Sequence, residues 1–375
     1  MKILIIIGCF FPGEKGGGPP VSVDNFCSLM SSEHDIYIVT VNHDLFDTTP
    51  YVDISKGWNE RENSRVLYLS DAEYNRVSFE KVMNEIEPDI LYLQGIFQSC
   101  IVPCLQIAKK KGIHVLLAPR GELCSGAFRM KKYKKIPYIF AIRMMRLVKN
   151  IHYQSTSDEE TEAIRYLLHP DNNHIHLLDN VPSIPKKNYQ RAKKNVGEGR
   201  FVYISRIHPK KNLISAIKYF NRIKGKVYFD IYGPIEDKEY WNVCLSEIAK
   251  LPRNVEVSYK GHVSHEKVHE VFSQYDAFLF PTFSENYGHV IAESLMVGTP
   301  VIISDQTPWN DVYENQAGWA IQLNDEDSFV KAIQQIVDSG DNNYLEIIRF
   351  ARSRIKIENL RIAYNDAIKK IGESV

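Results

Sequence analysis

The chain has 375 residues, of which 44% are hydrophobic and 25% are charged, as is typical of a well-packed globular protein long enough for two domains. Its 46 basic and 46 acidic residues give a formal net charge of zero, so no overall positive field favours nucleic acid as a partner. The cysteines show no metal-binding spacing and are predicted to be reduced thiols of a cytosolic protein: Cys9, Cys27, Cys100, Cys104, Cys124 and Cys244.

The first half of the chain alternates short apolar runs with helical segments. Strands are predicted at 2–7, 36–41, 89–93, 114–118 and 151–155, with helices such as 98–111 and 158–168 between them. This alternation predicts a parallel sheet covered by helices on both faces. No run reaches the roughly 18 to 20 apolar residues that span a bilayer, so any membrane contact is expected to be peripheral.

The second half repeats this pattern after a polar, basic stretch at 183–200, which is interpreted as an interdomain linker. Further strands are predicted at 201–205, 226–233, 255–261, 276–281 and 300–304, and a helical segment at 343–373. The predicted fold class is therefore α/β, with two doubly wound Rossmann-like domains facing a central cleft. The predicted domains are 1–183 and 184–350, with 351–375 as a C-terminal helix that returns to the first domain.

A glycine-rich loop, "GEKGGGPP" (13–20), follows the first predicted strand. Gly17 and Gly18 would let backbone N–H groups approach a phosphate at the start of a helix. The dinucleotide fingerprint is broken, however, because Val21 occupies the third glycine position counted from Gly16. A permissive turn is the alternative interpretation.

A basic turn, "SRIHPKKN" (205–212), follows the first strand of the second half. Arg206 and Lys211 would lie at the carboxyl end of the sheet, where two cations and a helix start are well placed to hold a diphosphate. A solvated basic turn is the alternative.

Two carboxylates, Glu285 and Glu293, interrupt an apolar segment that is predicted to be helical from Ser284–Tyr287 to about Val297. Eight residues of helix rise about 12 Å, similar to the distance from hexose to ribose in a sugar nucleotide. One carboxylate would then bind sugar hydroxyls and the other ribose hydroxyls. Alternatively, Glu285 only favours the helix dipole and Glu293 forms a salt bridge, although an apolar helix disfavours a buried charge.

Several motifs together resemble a known family. "SRIHPKKN", "GHVSHEKV" and "FPTFSENYGHVIAESLMVGTPVI" resemble the second domain of retaining glycosyltransferases of family 4 (glycosyl transferases group 1), which have the GT-B fold. "FFPGEKGGGPP" is similar to the Gly-Gly loop of this family. "LAPRGEL" (117–123) and "DQTPWNDVYENQAGWAI" (305–321) resemble a bacterial polysaccharide-assembling subset.

The resemblance implies a role for each matching position. Glu285 would contact the donor hexose near its 3- and 4-hydroxyls, while Arg206 and Lys211 would neutralise the leaving diphosphate. Glu293 would hold the ribose, and the nucleobase would lie near 259–263. The implied donor-binding residues are Gly17, Gly18, Asn286, Tyr287, Gly288, His289, Glu293, His262 and Val263.

The chain departs from the family in its first domain. Many members have a histidine after the strand that corresponds to "HVLLAPRG", where Arg120 and Glu122 stand in this chain, and Gln94 stands where relatives often have histidine. Arg120 is therefore the first-domain candidate for a catalytic role.

The function implied is retaining transfer of a hexose from a nucleotide-diphosphate sugar to a glycan acceptor, expected to be lipid-linked, in the biosynthesis of O-antigen or capsule. No cofactor is expected, and no metal, because the cations can replace a divalent ion. The alternatives are a nucleotide-sugar epimerase of the same fold, an NAD-dependent oxidoreductase, disfavoured by the broken fingerprint, and a non-catalytic sugar-binding module.

The stretch 128–150 has eight Lys or Arg residues and no carboxylate. It is predicted to contact anionic lipid, which would place the protein on the cytoplasmic face of the inner membrane. A solvated helix face that packs on the sheet is the alternative.

Overall fold

The computed structural model describes residues 1–340 and 343–373. The chain divides into two compact units, one formed by Met1–Val181 with Ile357–Val375 and the other by Pro182–Lys356. The first boundary therefore lies two residues before the predicted one at 183/184.

The first unit contains a sheet of eight strands within the described residues. These are β1 (Lys2–Ile6), β2 (Asp35–Val41), β3 (Trp58–Arg61), β4 (Ser64–Leu69), β5 (Ile90–Gln94), β6 (His114–Ala118), β7 (His152–Ser155) and β8 (Ile175–Leu177). Their order is β3-β4-β2-β1-β5-β6-β7-β8, and all neighbours are parallel except β3 and β4. The five predicted strands are confirmed as β1, β2, β5, β6 and β7, each within one residue at either end.

Helices cover both faces of this sheet. They are α1 (Gly18–Met30), α2 (Arg76–Ile86), α3 (Ile101–Lys111), α4 (Ser125–Arg129), α5 (Lys132–Met144) and α6 (Asp158–Leu168). Successive residues of a strand point to opposite faces, and β1 shows this directly. Leu4 and Ile6 belong to the core that includes residues of α2, α3, α5 and α6, whereas Ile3 and Ile5 belong to the core that includes residues of α1.

The second unit has a parallel sheet of six strands in the order β11-β10-β9-β12-β13-β14, counted over the described part of the chain. The strands are β9 (Glu198–Ile204), β10 (Lys226–Tyr232), β11 (Val255–Gly261), β12 (Ala277–Phe280), β13 (Val301–Ser304) and β14 (Gly318–Ile321). The helices are α7 (Leu213–Tyr219), α8 (Lys238–Ile248), α9 (Val268–Ser273), α10 (His289–Met296), α11 (Glu326–Asp338) and α12 (Tyr344–Ile355).

The predicted linker at 183–200 packs against the second unit. Arg191 donates hydrogen bonds to the Thr299 hydroxyl at 2.7 Å and to the Tyr275 carbonyl at 2.7 Å, and Lys194 is buried. Strand β9 begins at Glu198, three residues earlier than predicted. The polar, basic composition indicated a linker, but Arg191 and Lys194 donate to backbone carbonyls of the second unit.

The helical segment predicted at 343–373 is two helices, α12 and α13 (Ile357–Gly372). They are separated by Lys356, whose φ of 46° is left-handed and ends α12. The predicted division at 350/351 falls inside α12 and is corrected to 356/357. Helix α13 packs on the first unit, where the Tyr364 hydroxyl donates to the Asp179 carbonyl at 2.9 Å.

A cluster of histidines in the first unit predicts acid sensitivity. His152 Nδ1 lies 3.0 Å from His176 Nε2, and the rings of His152 and His174 are 4.3 Å apart. Burial, helped by the two neighbouring rings, lowers the pKa of His152 from 6.5 to about 3. Burial, followed by the charge of Lys370, lowers the pKa of His176 to about 4.

Because these folded-state pKa values lie below the unfolded value, the unfolded chain binds more protons below about pH 6.5. We expect the free energy of unfolding to fall with the pH from about 6.5 to about 4, by about 1.4 kcal/mol per pH unit for each proton taken up. Urea midpoints measured across this range would show it. The slope should be shallower in His152→Gln and unchanged in the exposed control His169→Asn; equal slopes in all three would contradict the assignment.

Candidate functional site

The candidate site lies at the carboxyl edge of the sheet in the second unit. Strands β9 and β12 are neighbours, so the turn 205–212 after β9 and the loop 281–288 after β12 lie side by side. Two hydrogen bonds join them: Phe283 N donates to the Lys210 carbonyl at 3.0 Å, and Asn212 Nδ2 donates to the Pro281 carbonyl at 2.9 Å. The two motifs predicted from the sequence thus form one structural element.

Lys211 and Glu285 form a hydrogen-bonded ion pair inside this element. Their side chains are only 12% and 17% exposed, and the Lys211 ammonium also lies 5.6 Å from the centre of the Phe280 ring. Removing either member of an ion pair that is shielded from water leaves an uncompensated charge, which is costly. The structure therefore brings together two of the predicted catalytic residues.

Arg206 has a different partner. Its Nη1 lies 2.9 Å from Oε2 of Glu236, in a pair that is about one-third exposed. Glu236 follows the carboxyl end of β10, the strand beside β9. The sequence interpretation missed this residue; its place just after a strand that borders the site is the signal that would have indicated it.

Helix α10 begins at His289 and not at Ser284–Tyr287, as was predicted. The reason is Gly288, which caps the helix with a left-handed φ of 77°, a conformation that glycine adopts without strain. A Cβ atom at this position would meet Ile291 Cδ1 at 2.9 Å. Glu285 therefore lies in the loop before α10, and the helical spacing of about 12 Å to Glu293 does not apply.

Trp309 holds the loop 281–288 in place. Its Nε1 donates to the Tyr287 carbonyl at 2.7 Å, and the backbone of Glu285 donates to the Gln306 carbonyl at 3.0 Å. The fully buried indole is covered by the guanidinium of Arg354, 4.1 Å from the ring centre. The "DQTPWNDVY" segment therefore supports the loop that carries Glu285.

The predicted donor-binding residues 286–289 follow in this loop and at the start of α10. The rings of Tyr287 and His289 are 4.8 Å apart, and the ring of Tyr287 is 6.2 Å from that of Trp309. Asn286 and Gly288 stand on either side of Tyr287. Their predicted contacts with a donor stay predictions.

Glu293 lies on α10 and is 2% exposed. Burial raises the pKa of its carboxyl, and the nearby His265, whose Nδ1 is 3.6 Å from Oε1, opposes this rise. The contact between Glu293 and His265 corresponds to the salt-bridge alternative stated for Glu293 in the sequence analysis. The ribose contact stays a prediction.

His262 and Val263 follow β11 at the same carboxyl edge. Gly261, with a left-handed φ of 75°, turns the chain there, and its carbonyl accepts a hydrogen bond from Gly233 N at 2.8 Å. This bond links the ends of β10 and β11. The predicted nucleobase region therefore lies two strands from β9.

In the first unit, the glycine loop is fixed by a residue that the sequence interpretation missed. The Asp44 carboxylate accepts hydrogen bonds from the backbone of Glu14 at 2.8 Å and of Lys15 at 3.1 Å. Gly17 caps α1 with a φ of 67°, and α1 starts at Gly18. The loop thus forms at a helix start, as was predicted.

Arg120 has a left-handed φ of 57°, and its guanidinium is held from three sides. It donates to Gln94 Oε1 at 2.8 Å, Asn180 Oδ1 at 2.7 Å and the Tyr92 hydroxyl at 3.1 Å. These bonds tie the carboxyl ends of β5 and β6 to the segment after β8. The structure gives Arg120 an architectural role, and its catalytic role stays a prediction.

Metal ligands are a separate question. Within residues 1–340 and 343–373, no group of three or more His, Cys, Asp or Glu side chains has the geometry to hold a metal ion. Metal-independent chemistry stays a prediction.

The second unit is similar in sequence to a known family. Residues 183–354 match the family described as glycosyl transferases group 1. The match covers nearly all of the second unit and less than half of the chain, and it agrees with the resemblance that the motifs showed.

Two curated relatives are O-antigen chain mannosyltransferases. RfbU of Salmonella typhimurium is 25% identical over 235 residues, which are 60% of this chain and 63% of the relative. O-antigen chain mannosyltransferase B of Escherichia coli is 25% identical over 156 residues, 40% of this chain and 39% of the relative. The chain thus spans less than two thirds of the length of either relative.

A solved structure extends the similarity to the whole fold. HepE from Anabaena, determined in complex with UDP and glucose, has a TM-score of 0.71 at 13% identity, covering 99% of this chain and 100% of that chain. This likeness confirms the predicted two-domain α/β fold of the GT-B class.

Proposed function

We propose that the protein is a glycosyltransferase that moves a hexose from a nucleotide-diphosphate sugar to a glycan acceptor. The observation that carries the proposal is the shielded Lys211–Glu285 pair, on the turn that also carries Arg206, in a domain that matches the glycosyl transferases group 1 family. The named activity of the two relatives supports the O-antigen form of surface-polysaccharide biosynthesis and makes a mannose donor the first to test.

The chemistry follows from the charges at the site. As the bond from the anomeric carbon to the diphosphate breaks, negative charge grows on the leaving group. Arg206 and Lys211 stabilise that charge, in the place a metal ion would otherwise take. Glu285 accepts hydrogen bonds from sugar hydroxyls while it orients Lys211.

We propose that transfer proceeds with retention of configuration. The acceptor oxygen attacks the anomeric carbon from the face that the diphosphate leaves. Its proton passes to an oxygen of the departing diphosphate, so no additional base is required. Arg206 is paired with Glu236, and a diphosphate would compete with Glu236 for the guanidinium.

The first experiment is a thermal-shift screen with nucleoside diphosphates and nucleotide sugars, because a ligand that binds only the folded state raises its melting temperature. The nucleotide sugar with the largest shift, labelled in its sugar, is then incubated with a membrane lipid extract as acceptor. We expect the label in a glycolipid and stoichiometric release of nucleoside diphosphate. Conversion of the donor without an acceptor would indicate an epimerase and contradict the proposal.

Substitution of Glu293 is expected to weaken donor binding more than it slows transfer. A hydrogen bond to a charged group is worth about 1.5–3 kcal/mol, so Glu293→Ala should raise the donor Kd by about ten-fold or more. The rate at saturating donor should change little. Titration and steady-state kinetics separate the two quantities, and Glu293→Gln controls for the loss of volume in the buried helix. A lower saturated rate with an unchanged Kd would contradict the ribose assignment.

The proposed acceptor is lipid-linked, and the proposed site of action is the cytoplasmic face of the inner membrane. The names of the relatives support a glycan acceptor in the O-antigen chain. The stretch 128–150, with eight Lys or Arg residues and no carboxylate, supports the membrane location. Among the described residues, no helix is long and apolar enough to cross a membrane. Partition of labelled product into organic solvent tests it.

A further inference from the structure

Arg120 differs from the other predicted catalytic cations in the groups that hold it. The other two each form a salt bridge with a carboxylate. The groups that accept hydrogen bonds from Arg120 are the amide oxygens of Gln94 and Asn180 and the hydroxyl of Tyr92, which carry no charge. These three partners therefore fix the direction of the guanidinium without neutralising it.

The same contacts leave hydrogen-bond donors for a ligand. A guanidinium has five N–H groups, and the three partners accept from three of them. Gln94 turns its Oε1 to Arg120, and its Nε2 has no hydrogen-bond partner within the described residues, although the residue is only 2% exposed. A buried N–H group without an acceptor is costly. Arg120 and Gln94 together therefore offer donors that suit an anionic oxygen.

A network of hydrogen bonds joins Arg120 to helix α13. The Tyr92 hydroxyl accepts from Arg120 and donates to Gln154 Oε1. Gln154 Nε2 donates to the Tyr364 hydroxyl at 2.8 Å, and this hydroxyl donates to the Asp179 carbonyl at 2.9 Å. Tyr92, Gln154 and Tyr364 are each 2% exposed or less. Water therefore does not compete for these hydrogen bonds.

Two backbone carbonyls fix the direction of every bond in this network. Gln154 Nε2 also donates to the Leu178 carbonyl at 2.9 Å, and a carbonyl only accepts, so Gln154 Oε1 faces Tyr92. The Tyr92 hydroxyl then uses its hydrogen on Gln154 and offers a lone pair to the guanidinium. The Asp179 carbonyl likewise takes the hydrogen of Tyr364, so the Tyr364 hydroxyl can only accept from Gln154.

We propose that Tyr364 is a positioning residue for Arg120. Its hydroxyl orients the amide of Gln154, the amide orients the Tyr92 hydroxyl, and that hydroxyl fixes the guanidinium. The Tyr364 ring packs against the ring of Phe26, with centres 5.4 Å apart, which holds the hydroxyl in place. The inference rests on the proposed function in one respect: Arg120 is taken to stabilise negative charge that develops during sugar transfer.

Tyr364→Phe tests the proposal, because it keeps the buried ring and removes only the hydroxyl. We expect the rate at saturating donor and acceptor to fall about ten-fold, within the 100-fold that a misplacement of about 1 Å can cost at a reacting centre. Arg120→Lys keeps the charge but loses the planar fork. In that background Tyr364→Phe should slow transfer by less than about two-fold more, because a residue that acts through another has a non-additive effect.

The side-chain Nε–H signal of Arg120, in full-length protein labelled with ¹⁵N-arginine, reports the positioning and needs no sugar donor. Arg120→Lys identifies the signal by its loss. In Tyr364→Phe we expect the signal to shift and its hydrogen exchange to accelerate about five-fold, the change that loss of one hydrogen bond gives.

The matched control is Tyr153→Phe. Tyr153 is fully buried on β7, and its hydroxyl also donates to a backbone carbonyl, that of Val148, but it is outside the network. Tyr153→Phe should lower the melting temperature about as much as Tyr364→Phe does, and leave the rate and the Arg120 signal unchanged.

The outcomes separate this proposal from the proposed function. An Arg120 signal that is the same in Tyr364→Phe and the wild type would overturn the proposal, whether or not the protein transfers sugar. A shifted signal with an unchanged rate would also overturn it, as would a ten-fold loss that persists in the Arg120→Lys background. Absence of transfer by the wild type with every donor would instead contradict the proposed function, and the signal would still decide whether Tyr364 positions Arg120.

Discussion

Replacement of Glu285 by Ala is expected to abolish measurable sugar transfer, with a fall in rate of about 10³-fold. The carboxylate has two roles in the proposed chemistry, as an acceptor for sugar hydroxyls and as the partner of Lys211. Loss of one preorganised electrostatic group at a reacting centre typically costs 10²- to 10³-fold, and here the substitution also leaves Lys211 shielded without its counter-charge. The measurement is the rate of transfer at saturating donor.

Two comparisons make this prediction specific. Glu256→Ala removes an exposed carboxylate from β11 of the same unit and should leave the rate unchanged. Lys211→Ala should be about as damaging as Glu285→Ala, and the double variant no worse than either, because residues that act as a unit have non-additive effects. Multiplicative losses in the double variant would show that the two residues act independently, contrary to the proposed role of their ion pair.

Trp309→Ala is expected to lower the free energy of unfolding of the second unit by about 3–5 kcal/mol, the usual cost of truncating a large buried aromatic residue. The indole is fully buried, stacks with Arg354 and donates to the Tyr287 carbonyl. Its loss should also loosen the loop 281–288. Urea unfolding gives the first quantity, and amide hydrogen exchange at Tyr287–His289 gives the second.

Trp309→Phe separates packing from the hydrogen bond. It keeps an aromatic ring beside Arg354 but removes the N–H donor, so the stability loss should be smaller, about 1–3 kcal/mol. Exchange in the loop should still accelerate. The matched control is Trp319→Phe on β14, which should leave the loop unchanged. If amide hydrogen exchange in the loop were unchanged in Trp309→Ala, Trp309 would not be what holds the loop 281–288 in place.

The parallel strands of both units were predictable from the sequence, because buried strands of a doubly wound sheet are short continuous apolar runs. The hairpin of β3 and β4 was not. Strand β3 has only four residues, lies at the sheet edge and has no buried residue, so its apolar signal is weak. The formation of a short edge strand depends on pairing with its neighbour and not on its own hydrophobic pattern.

The start of α10 illustrates a second limit. Residues 284–287 are compatible with a helix, but Gly288 adopts a left-handed φ that no regular helix contains. A Cβ atom at this position would also lie 2.9 Å from Ile291 Cδ1 and 3.4 Å from Trp309 Nε1, so both the φ and the space favour glycine. Local propensity therefore placed the helix start several residues too early.

The motifs of the candidate site were recognisable, but their partners were not. The sequence indicated Arg206, Lys211 and Glu285 as parts of one site. In the structure Lys211 pairs with Glu285, and Arg206 pairs with Glu236. Glu236 is 30 residues from Arg206 in the sequence, so only the order of the strands brings them together. Predicting which charged residues pair across neighbouring strands therefore requires the order of the strands in the sheet.

Calorimetric titration of the full chain with nucleoside diphosphates tests the proposed diphosphate site most directly. We expect one site per chain, and no measurable binding of the same nucleoside without phosphates. We also expect the affinity to be at least about ten-fold weaker in Arg206→Ala and in Lys211→Ala, since a charge-assisted hydrogen bond is worth about 1.5–3 kcal/mol. Equal affinity of both variants and the wild type, or equal binding of nucleoside and diphosphate, would contradict it.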